Sequence, residues 1–431
     1  MSGLTDSASA QPGGLAAMVQ HKRVLVASLA GTTIEFYDFY VYATAASIVF
    51  GPLFFPASSP AAQLLSAYAS FALAFLARPL GAAVFGHFGD RIGRKSTLVA
   101  SLLLMGASTF LIAFLPTYAM IGWWAPLLLC ILRFGQGFGL GGEWGGAALL
   151  AVENAPPGWR ARFGMMPQLG APLGFIAANG LFLLLGLWLS EADFLNWGWR
   201  LPFVFSALLV IIGLWVRLRL SETPEFKAAL AEKPPAAVPL AELLTQHVRQ
   251  TIAGTFAVVA CFALFYISTA FALGYATTML GMPREEVLAI QLAAIVMLAL
   301  GIVLAGWWSD KTSAHRALVA GCAATIPLGF VFGIGFDAAQ PALLFIVLAV
   351  ALFIMGFAYG PLGEWLTSLF PARVRYSGSS FAFNVGGILG GALAPIVAQY
   401  LVSSHGIGSV GLYLSAAGMV SLIGLVLLAR D

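Results

Sequence analysis

The chain has 431 residues, 60% of them hydrophobic and only 9% charged, with a formal net charge of +3. Soluble domains carry about 25% charged residues, so a mean hydropathy of +0.92 excludes an ordinary soluble globule and describes a chain dissolved in lipid. Its length suits roughly a dozen spans of about 20 residues each.

Taken in chain order, Met1 to Gly14 is polar, rich in Ser, Ala and Gly, and reads as a disordered tail. His21-Lys22-Arg23 precedes the first apolar run, which is too long for a signal-peptide core and reads as a retained span. Twelve spans are predicted at 24–50, 63–86, 96–115, 122–152, 163–189, 199–219, 250–280, 286–308, 316–336, 341–369, 376–402 and 408–429. The longest interruption, 220–249, has a Pro-rich middle and reads as a linker at the membrane surface. The expected fold class is all-α integral membrane, with twelve transmembrane helices in two six-helix halves. The expected organisation is a cytoplasmic tail (1–23), an N-terminal half (24–219), a cytoplasmic linker (220–249) and a C-terminal half (250–431).

Charge supports that count. With twelve spans, the loops on one side hold Lys22, Arg23, Arg91, Arg94, Lys95, Arg160, Arg162, Arg249, Lys311, Arg316, Arg373 and Arg375 among others, while those on the other side hold essentially Arg284. Basic loops mark the cytoplasm, so both termini are expected inside a multi-pass cell-membrane protein. The chain also repeats itself. Gly306-Trp-Trp-Ser-Asp310-Lys311 lies 220 residues after Gly86-His-Phe-Gly-Asp90-Arg91, and Gly363-Glu364-Trp365 lies 221 residues after Gly142-Glu143-Trp144. Two motifs at nearly one offset indicate duplicated halves, which in transporters enclose a site near the midplane.

Several polar residues sit inside spans, where an ionised side chain is costly unless paired or wetted. Glu35 and Asp38 share a face of span one and are expected to face an aqueous cavity between the halves. At least one of them is expected to take up and release a proton during transport. The best partner is Arg133, inside span four and permanently charged. Glu143 is a further proton-coupling candidate, and its repeat equivalent Glu364 a candidate substrate contact. Tyr37, Gln136, Gln168, Asn179, Tyr266, Tyr275, Gln291, Trp365 and Asn384 are candidate substrate contacts, each weighed against a plain interhelical hydrogen bond. The glycines around Gln136 read mainly as helix packing, and Arg78 and Arg200 as interfacial snorkels. In the loop after span two, Gly86, Asp90, Arg91, Gly93, Arg94 and Lys95 read as a gate, with Asp90 its latch. Asp310 and Lys311 form a weaker copy, and Glu153 with Arg160 or Arg162 a second latch.

Cys130, Cys261 and Cys322 lie in apolar runs without metal-ligand spacing, so neither a disulfide scaffold nor a zinc site is expected. No Walker loop follows a strand and no Ser-His-Asp or Cys-His arrangement stands out. The expectation is therefore not an enzyme, with no cofactor, and with energy drawn from an ion gradient.

"GHFGDRIGRK" (86–95) resembles the signature loop of the major facilitator superfamily, and "RFGQGFGLGGEWGGA" (133–147) its fourth-span motif. "GTTIEFYDFYVYATAASIVFGPLFFP", "PQLGAPLGFIAANG", "SETPEF" and "LFPARVRYSGSSFAFNVGGILGGALAP" resemble the metabolite:proton symporter family within it. The resemblance implies transport of shikimate, oxoglutarate, citrate or another organic acid, or of proline or betaine. It also implies that Asp38 and Arg133 occupy the positions of a coupling pair known from sugar:proton symporters, which makes Asp38 the expected proton carrier and Glu35 the runner-up. The leading expectation is proton-coupled uptake of a small organic carboxylate by alternating access, by a monomer in a lipid bilayer, with no nucleic-acid partner. The alternatives are an exporter or exchanger of the same fold, a zwitterion symporter, and a non-transporting membrane sensor.

Overall fold

The computed structural model describes residues 14–56, 59–92, 94–141, 143–218, 239–371 and 374–428, without the side chains of 86–98, 216–217, 239–241, 337–338 and 428. Twelve long helices organise these residues. We label them α1 (Lys22–Ile48), α2 (Pro60–Ile92), α3 (Arg94–Ile112), α4 (Trp124–Leu140, resuming as Glu143–Glu153), α5 (Arg160–Gln168, resuming as Gly170–Trp188) and α6 (Leu201–Leu218). The second set is α7 (Val248–Thr278), α8 (Arg284–Lys311), α9 (Ala314–Phe336), α10 (Pro341–Ser368), α11 (Arg375–His405) and α12 (Ile407–Leu428). Eleven of these segments are long and apolar enough to cross a membrane, and Val99–Ile112 within α3 is a shorter apolar helix. The expected spans therefore appear with ends shifted by a few residues.

Glycine sets the helix spacing. A Cβ on Gly81 of α2 would lie 1.9 Å from the Phe138 carbonyl oxygen of α4, and one on Gly141 would lie 2.1 Å from that of Arg78. A Cβ on Gly137 would meet Ala74. The α2 and α4 backbones thus touch directly, as small residues permit in lipid. This is the packing role expected for that glycine run.

Two spans contain π turns, Ile267–Phe271 in α7 and Ile388–Ala392 in α11. A π turn disturbs the i→i−4 ladder and leaves carbonyls for other donors. In α7 the Gln291 amide of α8 donates to the carbonyls of Ser268 (3.1 Å) and Thr269 (2.8 Å). The Ala270 carbonyl receives Ser47 of α1 (2.9 Å) and Tyr68 of α2 (2.8 Å).

Candidate functional site

The site is built where α1, α2 and α4 meet the second set of helices. Phe39, Phe71 and Phe75 from α1 and α2 pack around Tyr266 of α7, with ring centroids 5.3–6.1 Å apart. Tyr40 stacks on Phe265 at 4.9 Å. Aromatic area buried this way joins the two sets of helices.

Asp38 is fully buried. Its Oδ1 accepts from Ser206 of α6 at 2.5 Å, and its Oδ2 makes no hydrogen bond of good geometry, although the Thr109 hydroxyl lies near the carboxyl. This corrects the expected placement: Asp38 points into the first six helices, toward α6, rather than into a cavity shared with Glu35. Three residues along a helix turn the side chain by about 60° from its neighbour on that face, enough to divide the two acids. Glu35 is buried and shares electrostatic surroundings with Arg78 and Tyr359.

Arg133 is also fully buried. Its guanidinium lies 4.2 Å from the Phe39 ring centroid and 4.0 Å from that of Tyr42, a cation–π cage that offsets part of its desolvation. The anticipated direct pair with Asp38 is not formed in this structure. Gln136 stands between them: its Oε1 accepts from Arg133 Nη1, and its Nε2 donates to the Asp38 carbonyl and to Thr109 Oγ1, both at 2.8 Å. Arg133 Nη2 is left without a partner. Gln136 thus ties the Arg133 guanidinium to the backbone of the helix turn that carries Asp38, not to its carboxylate, and Arg133 Nη2 and Asp38 Oδ2 are both left without a hydrogen bond of good geometry.

Sequence reasoning misplaced Arg78. It is 4% exposed rather than snorkelling, with its guanidinium 4.4 Å from the centre of Phe39 and its Nε without a partner. Long helices hide how deep a residue sits when span ends shift by several positions. The signal available was its position inside an apolar helix, followed by Pro79.

The remaining candidates divide between structural ties and contacts across the helix sets. Tyr37 donates to the Pro202 carbonyl (2.7 Å), and Asn179 accepts from Thr44 (2.7 Å), both within the first six helices. Tyr275 stacks on Phe271 at 5.4 Å within α7. Gln168 accepts from the Trp144 indole (3.0 Å) and donates to the Tyr359 carbonyl (3.2 Å), crossing between the sets. Asn384 crosses likewise, donating to the Gly141 carbonyl at 2.7 Å. Trp365 is buried near His315. Glu143 is buried and accepts from Ser101 at 2.8 Å. Glu364 has Asp310 and Arg160 as charged neighbours.

At the basic end of the bundle Asp310 accepts from the Arg162 Nε (2.6 Å) and from the backbone N–H groups of Ala161 (2.9 Å) and Arg162 (3.1 Å). The second-set carboxylate therefore caps the start of a first-set helix. Arg162 turns to Asp310 rather than to Glu153, which is exposed, as is Arg160. The Lys311 ammonium rests on Trp307. Trp144 stacks on Phe383 at 3.8 Å, sealing that end. Gly93 and the side chains of Gly86, Asp90, Arg91, Arg94 and Lys95 lie outside the described residues. At the opposite end Arg284 reaches Glu191 at 3.0 Å and the Phe194 ring at 3.8 Å. A cavity of about 440 Å³, lined by Ser47, Gln63, Thr277, Glu191 and Arg284 among others, opens beside it.

Twelve apolar helices in two sets, with charged and polar side chains buried between them, are the architecture of a membrane transporter of the major facilitator type. A family model for "Sugar (and other) transporter" matches residues 23–236. The chain is 52% identical over 410 residues to the inner membrane metabolite transport protein YhjE of Escherichia coli (strain K12), covering 94% of this chain and 93% of that one. It is 37% identical to the shikimate transporter of the same organism, covering 95% and 94%. Its fold matches the solved xylose transporter XylE of Escherichia coli in a partially occluded inward-open conformation (TM-score 0.72, 15% identity, 95% and 99% covered). The chain belongs to the metabolite transporters of the major facilitator superfamily. It is a transporter, not an enzyme, and its cargo is a small-molecule metabolite.

Proposed function

We propose that the protein is a proton-coupled importer of a small organic carboxylate in the inner membrane, working as a monomer by alternating access. The observation that carries this reading is the contact from Arg133 through Gln136 to the backbone of Asp38, with Asp38 Oδ2 and Arg133 Nη2 both buried and without a hydrogen bond of good geometry. A charged carboxylate in that position is costly while it lacks a full set of partners. Protonation relieves the cost, and a swing of the Gln136 amide lets Arg133 close on Asp38 when the proton leaves. Occupancy of the proton site thereby biases the neighbouring helices, which is what coupling means physically. No cofactor is required, since one charge crossing 100 mV supplies about 2.3 kcal/mol. The basic end is taken as cytoplasmic, with both termini inside. A carboxylate cargo fits the buried cations and the similarity to a shikimate transporter.

The test uses purified protein in liposomes holding a pH dye, with shikimate, 4-hydroxybenzoate, oxoglutarate, citrate, proline and betaine offered in turn. Cargo-driven proton entry is expected in wild type. Asp38→Asn is expected to abolish it while exchange of labelled cargo across the membrane continues. If wild type moves cargo without protons, the importer reading falls and exchange replaces it. If Asp38→Asn still accumulates cargo against its gradient, coupling does not reside at Asp38.

A further inference from the structure

Arg78 is the second buried guanidinium of the site, and the coupling line does not use it. It lies on α2, with Phe39 at 4.4 Å and Phe75 at 5.1 Å from its central carbon. Arg133 lies 4.2 Å from the same Phe39 ring, so two permanent cations share one aromatic residue. Among the described residues neither guanidinium makes an ion pair, although both are at least nine-tenths buried. Arg78 has the further feature of location. The titratable groups whose fields it feels come from both sets of helices: Glu35 and Tyr40 from α1, Tyr266 from α7 and Tyr359 from α10. Arg133 also has Tyr266 within its field, but its hydrogen bonds, to Gln136 and the Phe71 carbonyl, lie inside the first set.

Two buried polar groups within one another's field have a hydrogen-bonding atom to spare. Arg78 Nε has no partner, and the Tyr359 hydroxyl makes no hydrogen bond of good geometry although the Trp144 indole lies near it. A buried donor left unmade is costly, and a planar guanidinium fork has the shape of a carboxylate. We propose that Arg78, with Tyr359 opposite, is the carboxylate-binding group for the cargo, while Arg133 serves the proton line. The chemical class is therefore a molecule with one carboxylate to fill the fork. The remainder of the cargo would lie against the Phe75 and Tyr266 rings. Both components of the site come from elements that part when the two sets of helices separate, so the fork is uncovered at the moment cargo enters. The inference rests on the importer reading only for that route of entry; binding itself needs no gradient.

The experiment reads binding alone, on the full chain in detergent with no ion gradient. Thermal shift and equilibrium binding would be measured for shikimate, 4-hydroxybenzoate and proline, each beside its methyl ester. At least one acid is expected to bind and its ester to bind at least tenfold more weakly. Arg78→Gln is expected to weaken the acid roughly tenfold or more and to erase the acid-over-ester preference. Arg78→Lys, which keeps the charge but loses the fork, is expected to recover part of the affinity, and it stands in should Arg78→Gln fail to fold. Tyr359→Phe is expected to weaken the acid more than the ester. The proposal is overturned if no acid binds, if acid and ester bind alike, or if the Arg78 variants keep full affinity. Because proton flux is not measured, a failure here is distinct from a failure of proton coupling.

Discussion

Gln136 shows how much of a buried site depends on one neutral side chain. It accepts from Arg133 while donating to the Asp38 backbone and to Thr109. Gln136→Leu is expected to strand a buried guanidinium, and truncating one member of such a network costs about 3–5 kcal/mol. A large fall in the thermal midpoint, together with loss of proton-driven uptake, would bear this out; an unchanged midpoint would show that Arg133 is satisfied elsewhere. The presence of Asp38 and Arg133 in the apolar runs was legible because charge in a span stands out. The direction in which Asp38 points was not, since Ser206, which holds it, lies 168 residues away. Arg78 was misread for a related reason: depth in a bilayer is a property of the assembled bundle.

At the scale of the helix, the α2–α4 contact is the most demanding piece of packing near the site. A Cβ at Gly81 or Gly141 would lie about 2 Å from a backbone oxygen of the facing helix, and a backbone cannot rotate away as a side chain can. Gly81→Ala is expected to destabilise the protein by about 1–3 kcal/mol, visible as a lower thermal midpoint. Gly180, whose Cβ would meet nothing, serves as the control, and Gly180→Ala should leave the midpoint near wild type. If both behave alike, the close approach is not what the glycine serves. Helix number was legible because each apolar run is bounded by Gly, Pro or charge. The π turn in α7 was invisible in "ISTAF", since its freed carbonyls are used by Ser47, Tyr68 and Gln291 from distant helices.

Across the whole molecule, the two ends are tied unequally. The Asp310 side chain is 2% exposed and caps a helix across the boundary, whereas Glu191, facing Arg284, is 67% exposed. Exposed pairs contribute about 0–1 kcal/mol, and buried charge pairs lose far more when one partner is removed. The basic end is therefore the firmer closure. Asp310→Asn is expected to shift the population toward a state open at that end, read as increased labelling of a cysteine introduced at Ser380. Arg284→Gln is expected to leave that labelling near wild type. Equal effects from the two variants would remove the asymmetry. The duplication at offsets of 220 and 221 residues made the two six-helix sets legible, and the first repeated motif closes α2 in one set and α8 in the other. Which copy carries the described tie was not legible, because the pairing of Asp310 with Arg162 follows from how the two sets meet.

The cage around Arg133 also has a consequence for how the chain is made. Its walls are Phe39 and Tyr42 of α1 and Phe71 of α2, all of which leave the ribosome before α4. When the arginine of α4 is delivered to the bilayer, the rings that shelter it are already there. A rearranged gene that synthesised α4 ahead of α1 and α2 would hand the insertion machinery an unsheltered cation, so the order of the helices along the chain is itself part of what lets this arginine reside in a membrane.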